Sequence, residues 1–413
     1  MDKKAEVYRF PQSKRERKKI LTAKIDPRLR FAYRMRRFTG FAFVLLFIAL
    51  LAANFSLLSP QSVSRFRDYA KLLFLQQTEK TNIIDFSGSS ADDTQLFNGG
   101  LVVVEQDMLY VAMPGGITQL QTQLSYSDPV IDTCDKYILA YDRGGTSLTL
   151  ANTLTTIQDF QFESPILSAS IGDAGNFAVI TDESGYKSAV TVFNASQKQV
   201  FKWSSSEYYI MSAALSPNGR YMSVLCIAQD GVDLVSHIIS FDLTQDTPLA
   251  ETPLTNQLAI DLEFLSDRLV CVICDKATYL TDLSGDVLDT LPYSSASLLG
   301  YDVSHGRLAL ALSSYSRESR SNIYLFDGDN RRLDSSIALQ GELAGLSVNE
   351  QYIAVLTSDG VTLYDDALIP RYQYSGVSNA KNMLLREDDS LCLVYAKEAR
   401  IVYKSDLTPL PQT

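Results

Sequence analysis

Four carboxylates offer the clearest chemistry in this chain: Asp132, Asp261, Glu263 and Asp302, each on or beside a short β-rich run. Asp261 and Glu263 are two residues apart, so on a strand their side chains share a face. If such strands converge on one axis, oxygens from several of them suit Ca²⁺. The same residues serve equally as the solvated walls of an acidic channel. Other reactive side chains are scarce. His237 and His305 are the only histidines, and neither accompanies a nucleophile motif. No Gly-x-Ser-x-Gly elbow, phosphate-binding loop or zinc signature occurs. Cys271-Val-Ile-Cys274 reads as strand, where residues three apart face opposite ways and neither chelate together nor pair. Cys134, Cys226 and Cys392 also lie in apolar runs, so free buried thiols are expected. No resident cofactor is expected, Ca²⁺ at the carboxylates excepted.

A second group has the chemistry of recognition. Trp203, Glu207, Tyr208 and Tyr209 stand together between two β-rich units. Two turns accompany them, Gln229-Asp230-Gly-Val-Asp233 and residues 314–321 with Tyr315 and Arg317. Exposed aromatics among polar loops suit a protein or glycan surface. The competing expectation is that Trp203 and one tyrosine pack between structural units.

The elements that must position these residues follow from a repeat. From about residue 83 helical periodicity gives way to short β-rich runs broken by Gly, Asp, Asn and Ser. The clearest unit is Ser212-Ala-Ala-Leu-Ser-Pro-Asn-Gly-Arg-Tyr-Met-Ser-Val-Leu225, followed by Ser236-His-Ile-Ile-Ser-Phe-Asp242. Its grammar is a small or apolar strand, a turn, an aliphatic strand, a hairpin, a strand ending in Phe/Tyr plus Asp/Asn, then a polar strand. First-strand centres fall near Leu96, Ile131, Ala169, Ala213, Asp261, Tyr301, Leu346 and Met383, at intervals of 35 to 48 residues. Four-stranded units in series at that period imply an all-β propeller of about eight blades, with seven as the alternative. The last unit holds only three strands, and Asn82-Ile-Ile-Asp-Phe86 belongs to no unit of its own. That segment is expected to supply the missing outer strand and close the ring. A chain with one tryptophan and no Ser-x-Asp-x-Gly boxes fits neither quinone-dependent dehydrogenase nor sialidase propellers.

Ahead of the repeat lies an apolar run. Residues 38–64 carry no charge, and the 19 residues from Gly40 to Leu58 match the ~30 Å hydrocarbon thickness of a bilayer. Residues 1–37 hold 14 Lys/Arg against 4 Asp/Glu, and residues 81–413 hold 19 against 42. The positive-inside rule then implies a cytoplasmic N-terminus and an external C-terminal domain. The long basic segment ahead of the run favours an uncleaved signal-anchor over a cleaved signal peptide. Val63, Phe66, Ala70 and Leu73 recur at helical spacing. The expected organisation is a basic cytoplasmic tail (1–37), a transmembrane signal-anchor helix (38–59), an amphipathic stalk (60–81), the propeller (82–405) and a C-terminal tail (406–413). The basic tail suits anionic lipid. A net charge of −23 over residues 81–413 rules against nucleic acid, whose affinity is mostly phosphate neutralisation.

The stretch Val200-Phe-Lys-Trp-Ser-Ser-Ser-Glu-Tyr-Tyr-Ile-Met-Ser-Ala-Ala-Leu-Ser-Pro-Asn-Gly-Arg-Tyr221, with Leu308-Ala-Leu-Ala-Leu-Ser-Ser-Tyr315, resembles a family of membrane-anchored propellers from Gram-positive, clostridial-type bacteria. The family carries a label of unknown function. The resemblance implies the anchor and the propeller, and no activity. Ser216-Pro-Asn-Gly219 also resembles the Ser-Pro-Asp-Gly turn of the periplasmic propellers that assist the Tol system, a structural likeness. The function expected is non-catalytic binding or scaffolding of a cell-envelope protein or wall component at the membrane, with a glycan as the lesser partner. The alternative is a lyase or hydrolase with an acidic, Ca-dependent site at the channel mouth.

Overall fold

The structure is a computed structural model that describes residues 38–41, 43, 82–86, 94–105, 107–114, 117–313, 321–327, 335–339 and 341–411. The chain divides into two compact units, residues 1–67 and 68–413. In the first, the described residues 38–41 and 43 are helical. The rest of the expected span, the basic tail and the stalk lie outside the described residues. Among the described residues no helix is long and apolar enough to cross a membrane.

The second unit is built from eight antiparallel sheets. Their first strands are Gln95–Phe97, Pro129–Thr133, Ile166–Ile171, Tyr209–Leu215, Ala259–Ser266, Leu298–Ser304, Leu343–Val348 and Asn382–Leu385. First strands of successive sheets touch one another, so they form the inner wall of a ring and each sheet is a blade. The blade count is eight, and every first-strand centre read from the repeat falls on one of these strands.

Burial explains the grammar. A middle strand is covered by a neighbouring blade on both faces, so it reads as a continuous apolar run. Leu269–Cys274 is buried at every residue, and Phe177–Thr181 likewise. The outermost strands face solvent, and Val287–Pro292 has no buried residue. The Asp or Asn that ends a third strand closes the turn into the fourth. Asp282 Oδ1 accepts the N–H groups of Ser284 and Asp286 at 2.9 and 3.0 Å. Asp365 Oδ1 does the same for Ala367 and Ile369 at 3.0 and 2.9 Å. These are Asx turns, in which a short side chain replaces a backbone acceptor. In the Ser-Pro-Asn-Gly turn, Ser216 Oγ accepts the Tyr221 N–H at 2.9 Å. Gly219 sits at φ +69°, where a Cβ would come within 2.9 Å of the Ala174 side chain in the adjacent blade.

Ring closure uses both ends of the propeller sequence. Ile83–Asp85 pairs antiparallel with Glu398–Val402, with Ile83 opposite Arg400 and Asp85 opposite Glu398, and is the outermost strand of the last blade. The N-terminal end of this strand lies toward the face that carries the first-to-second turns. Ile84, 1% exposed, packs with Leu101, Val103 and Ala112 of the first blade and with Cys392, Val394 and Ile401 of the last. Residues 406–413, expected as a tail, are partly ordered as sheet. Thr408–Pro409 adds a fifth strand to the seventh blade beside Pro370–Tyr374, and the Leu410 N–H donates to the Arg371 carbonyl at 2.8 Å.

The Ile84 side chain therefore fills the joint between first and last blades. Ile84→Ala is expected to cost about 2–5 kcal/mol, the usual range for a buried large-to-small change. Ile83→Ala, at a 41% exposed neighbour, should stay within about 0.5 kcal/mol. Denaturant midpoints of the full chain measure both, and equal losses would mean that the joint is not a special point of stability.

Candidate functional site

The innermost strands, or the turns that follow them, are fastened to one another by polar bonds at every joint of the ring. One device recurs: a side chain on one inner strand accepts an N–H from the next. Asp132 Oδ2 accepts from Ile171 at 2.8 Å, Asp302 Oδ2 from Val348 at 2.7 Å, and Ser347 Oγ from Leu385 at 3.0 Å. Other joints vary the theme. Gln95 Nε2 donates to the Ile131 carbonyl at 2.9 Å, and Ser170 Oγ donates to the Ala213 carbonyl at 2.5 Å. The Tyr301 hydroxyl donates to Asp261 Oδ2 at 2.9 Å, and the Asn218 N–H donates to Asp267 Oδ1 at 2.9 Å. Arg386 Nη2 donates to the Gly99 carbonyl at 3.1 Å and joins the last blade to the first.

Three of the four carboxylates singled out from the sequence come within electrostatic reach of one another. Burial pushes Asp132 up to about 6, against the Ile171 and Thr133 N–H groups, with Asp261 and Asp173 adding repulsion. Burial also raises Asp261, opposed by bonds from Tyr301, Leu262 and Ser212. Glu263 is driven well above the ordinary carboxylate range, first by desolvation and then by Asp261, Asp132 and Asp173. Its side chain is exposed yet desolvated, because the space it faces is the channel enclosed by the other inner strands. Asp302 stands apart: burial raises it, and its partners are the Val348 N–H and Ser347 of its own joint. Among the described residues no three His, Cys, Asp or Glu side chains lie close enough to hold a metal ion. Asp173, in the turn after Ile166–Ile171, belongs to the acidic group and was not singled out. In the sequence, Gly-Asp-Ala-Gly is an ordinary turn, and only ring closure brings it toward the others.

The recognition set divides. Trp203 is half-buried, with its ring 5.1 Å from Phe241 and 6.5 Å from Tyr208. Tyr208 is 9% exposed, and its hydroxyl donates to Glu251 Oε1 at 2.8 Å, an oxygen that His237 Nδ1 also meets at 2.8 Å. Trp203 and Tyr208 therefore pack between blades and offer little surface. Tyr209 is 54% exposed, with Lys187 Nζ 4.8 Å above its ring, and Glu207 and Asp233 are exposed. The Asp230 side chain, Tyr315 and Arg317 lie outside the described residues. Of the paired cysteines, Cys271 faces Leu308 and Phe326 of the sixth blade while Cys274 faces Leu225 and Ile238 of the fourth. All five thiols are free; Cys134 alone is half-buried rather than buried.

The hairpin Tyr221–Asp230 with Asp233–Asp242 is longer than its blade. The flanking strands pair with it only as far as Ile227 and Ser236. Among the described residues, 228–235 pair as strand only with each other, and their tip carries Val232, 95% exposed, and Leu234, 63% exposed.

Fold and site define the chain as an eight-bladed, all-β propeller whose inner wall is acidic and whose fourth blade carries a protruding hairpin with Val232 and Leu234 exposed near its tip. It belongs to the family of unknown function DUF5711, which it matches over residues 74–403. No curated protein matches the chain. Among solved structures it is similar to Sqt1 of Saccharomyces cerevisiae at 9% identity and a TM-score of 0.54, over 79% of this chain and 99% of that one. It is also similar to BamB from Moraxella catarrhalis at 14% identity and a TM-score of 0.47, over 77% and 99%. At these identities the likeness is one of fold, and with 966 matching chains it does not narrow the function.

The raised carboxyls give a signed pH dependence. A carboxyl that holds its proton more tightly in the folded chain contributes stability that is complete below its unfolded value. That contribution is lost as pH rises through the folded value, about 6 for Asp132. Glu263→Gln should therefore raise the thermal midpoint near pH ~8, and its advantage over wild type should close toward pH ~5. A variant equal to wild type across that range would show that Glu263 is not under electrostatic stress.

Proposed function

We propose that this chain is a single-pass, membrane-anchored, extracytoplasmic propeller that acts as a non-catalytic binding module for a cell-envelope protein. The observation that carries the binding reading is the hairpin tip. Val232 and Leu234 are held in water at the end of a ladder whose tip, among the described residues, pairs with no other strand. Keeping large aliphatic side chains exposed on a free ladder forgoes about 1.5–3 kcal/mol of burial each. A partner surface that covers them recovers that free energy. Tyr209, with Lys187 above it, adds an aromatic with a cationic neighbour in the same blade's inner strand and the hairpin that precedes it. Aliphatic side chains at the tip favour a protein over a glycan, whose recognition relies on aromatic faces and arrays of polar groups.

The anchor reading rests on the uncharged run 38–64 behind a segment of net charge +10. Basic residues of that segment suit anionic lipid on the inner leaflet.

Crosslinking and co-purification of the full chain from native membranes tests both parts, with Val232→Asp/Leu234→Asp as the matched variant. Both changes are at exposed positions, so folding should be retained. One stoichiometric protein partner that disappears in the variant is the expected result. Absence of any protein partner in wild type would sink the module reading. Anchoring predicts that the chain resists alkaline extraction and that external protease reaches the propeller in intact cells. Release by alkali, or protection from the protease, would refute it.

A further inference from the structure

Five consecutive blades share one irregularity. Near the start of each innermost strand, the pairing with the second strand shifts between Ile166 and Ser168, Ile210 and Ser212, Ala259 and Asp261, Leu298 and Gly300, and Leu343 and Gly345. The extra residues are Leu167, Met211, Ile260, Leu299 and Ala344. A bulge leaves its extra residue out of the ladder and re-aims that side chain. Leu167 is 37% exposed and Met211, Ile260 and Leu299 are 51%, 50% and 49% exposed, whereas Ile166, Ile210 and Ala259 beside them are buried. An isolated exposed aliphatic is ordinary. The same backbone device setting out an aliphatic side chain at the same place in successive blades makes a rim. It lies where the inner strands begin, on the face of the propeller that also carries the long hairpin of the fourth blade.

The charge inside that rim has one sign. The eight innermost strands contain Asp132, Asp261, Glu263 and Asp302 and no Lys, Arg or His. Asp132, Asp302 and Ser347 occupy equivalent positions, the fourth paired residue of the inner strand, and each is spent on an N–H of the next blade. Glu263 holds the same position in the fifth blade, and its carboxyl finds no donor among the described residues. Asp261, two residues closer to the rim, directly follows the bulged Ile260.

We propose that this channel mouth docks a segment of a partner protein in which aliphatic side chains flank a Lys or Arg, the aliphatic groups resting on the rim and the cation entering the channel toward Asp261 and Glu263. The inference rests on the reading of the chain as a protein-binding module and adds the place and chemistry of contact. Charge complementarity selects the occupant. An uncharged apolar molecule would satisfy the rim and leave the carboxylates as they are. A bare metal ion would ignore the rim and lacks three close ligands among the described residues. A glycan finds aliphatic rather than aromatic surface at every bulge.

The test uses the purified full chain and the labelled peptide Gly-Ser-Leu-Leu-Lys-Leu-Leu-Ser-Gly, with binding read by fluorescence anisotropy. The expected result is binding to wild type, with a peptide carrying Glu in place of Lys about tenfold weaker or worse. The triple variant Met211→Ser/Ile260→Ser/Leu299→Ser, at exposed positions and checked for an unchanged unfolding midpoint, should lose about tenfold. Glu263→Gln should weaken the Lys peptide severalfold, and Asp246→Asn, an exposed acid on an outer turn, should not. Equal binding of the two peptides, a triple variant that binds like wild type, or equal losses in Glu263→Gln and Asp246→Asn would each overturn the proposal. Repeating the membrane co-purification with the triple variant separates the two readings. A partner lost on changing the hairpin but kept on changing the rim leaves the binding module standing and removes this site.

Discussion

Closure of the ring is the constraint on which everything else rests. Each blade buries both faces against neighbours, so a blade without a neighbour would leave an apolar face in water, and only a closed circle has no such blade. Here the circle is shut by a strand from one end of the propeller sequence in a sheet built by the other. Ile84 sits in a core drawn from the first and last blades together. The Arg386–Gly99 bond crosses the same joint from the turn side. Closure also forces the inner strands to converge. That convergence desolvates Asp132, Asp261 and Glu263 and sets them against one another, a strain that the packed blades sustain.

Much of this was legible in the sequence, for definite reasons. Middle strands are covered on both faces, so runs such as Leu269–Cys274 stand out as unbroken apolar segments. The Asp or Asn after a third strand is tied to its Asx turn, so the Phe/Tyr-Asp/Asn ending recurs wherever the turn does. Asn82–Phe86 had the pattern of a strand and no unit of its own, which is how a closing strand must look. Opposite orientation of Cys271 and Cys274 followed from strand geometry alone, and their two separate cores bear it out.

Other features left no such trace. A bulge adds one residue without changing the apolar character of the run, so Leu167, Met211, Ile260 and Leu299 read as ordinary inward-facing strand residues. Their exposure is a property of register, which a single strand's sequence does not encode. Trp203 and Tyr208 differ from Tyr209 only in which side of a joint they meet, and composition cannot distinguish a ring packed on Phe241 from one in water. Thr408–Pro409 is too short to carry a strand pattern, and its pairing depends on where the preceding turn leaves the chain. Asp261 and Glu263 were visible as a pair on one face; that Asp261 is tied to Tyr301, while Glu263 finds no donor among the described residues, depended on the neighbouring blade.

The pairing of Ile83–Asp85 with Glu398–Val402 also sets an order in time. A chain emerging from its N-terminus presents the clasp strand first, and its partner arrives only after all the intervening blades. Contacts so distant in sequence make closure a late event. Until then the first blade keeps an uncovered apolar face and the clasp strand an unmatched edge, the exposures that invite association with other chains. A product truncated before residue 398 cannot close at all. The last strand of the ring to be made thus decides whether all the earlier blades reach a closed fold, and a protease or chaperone that reads open edges can tell a closed ring from an open one.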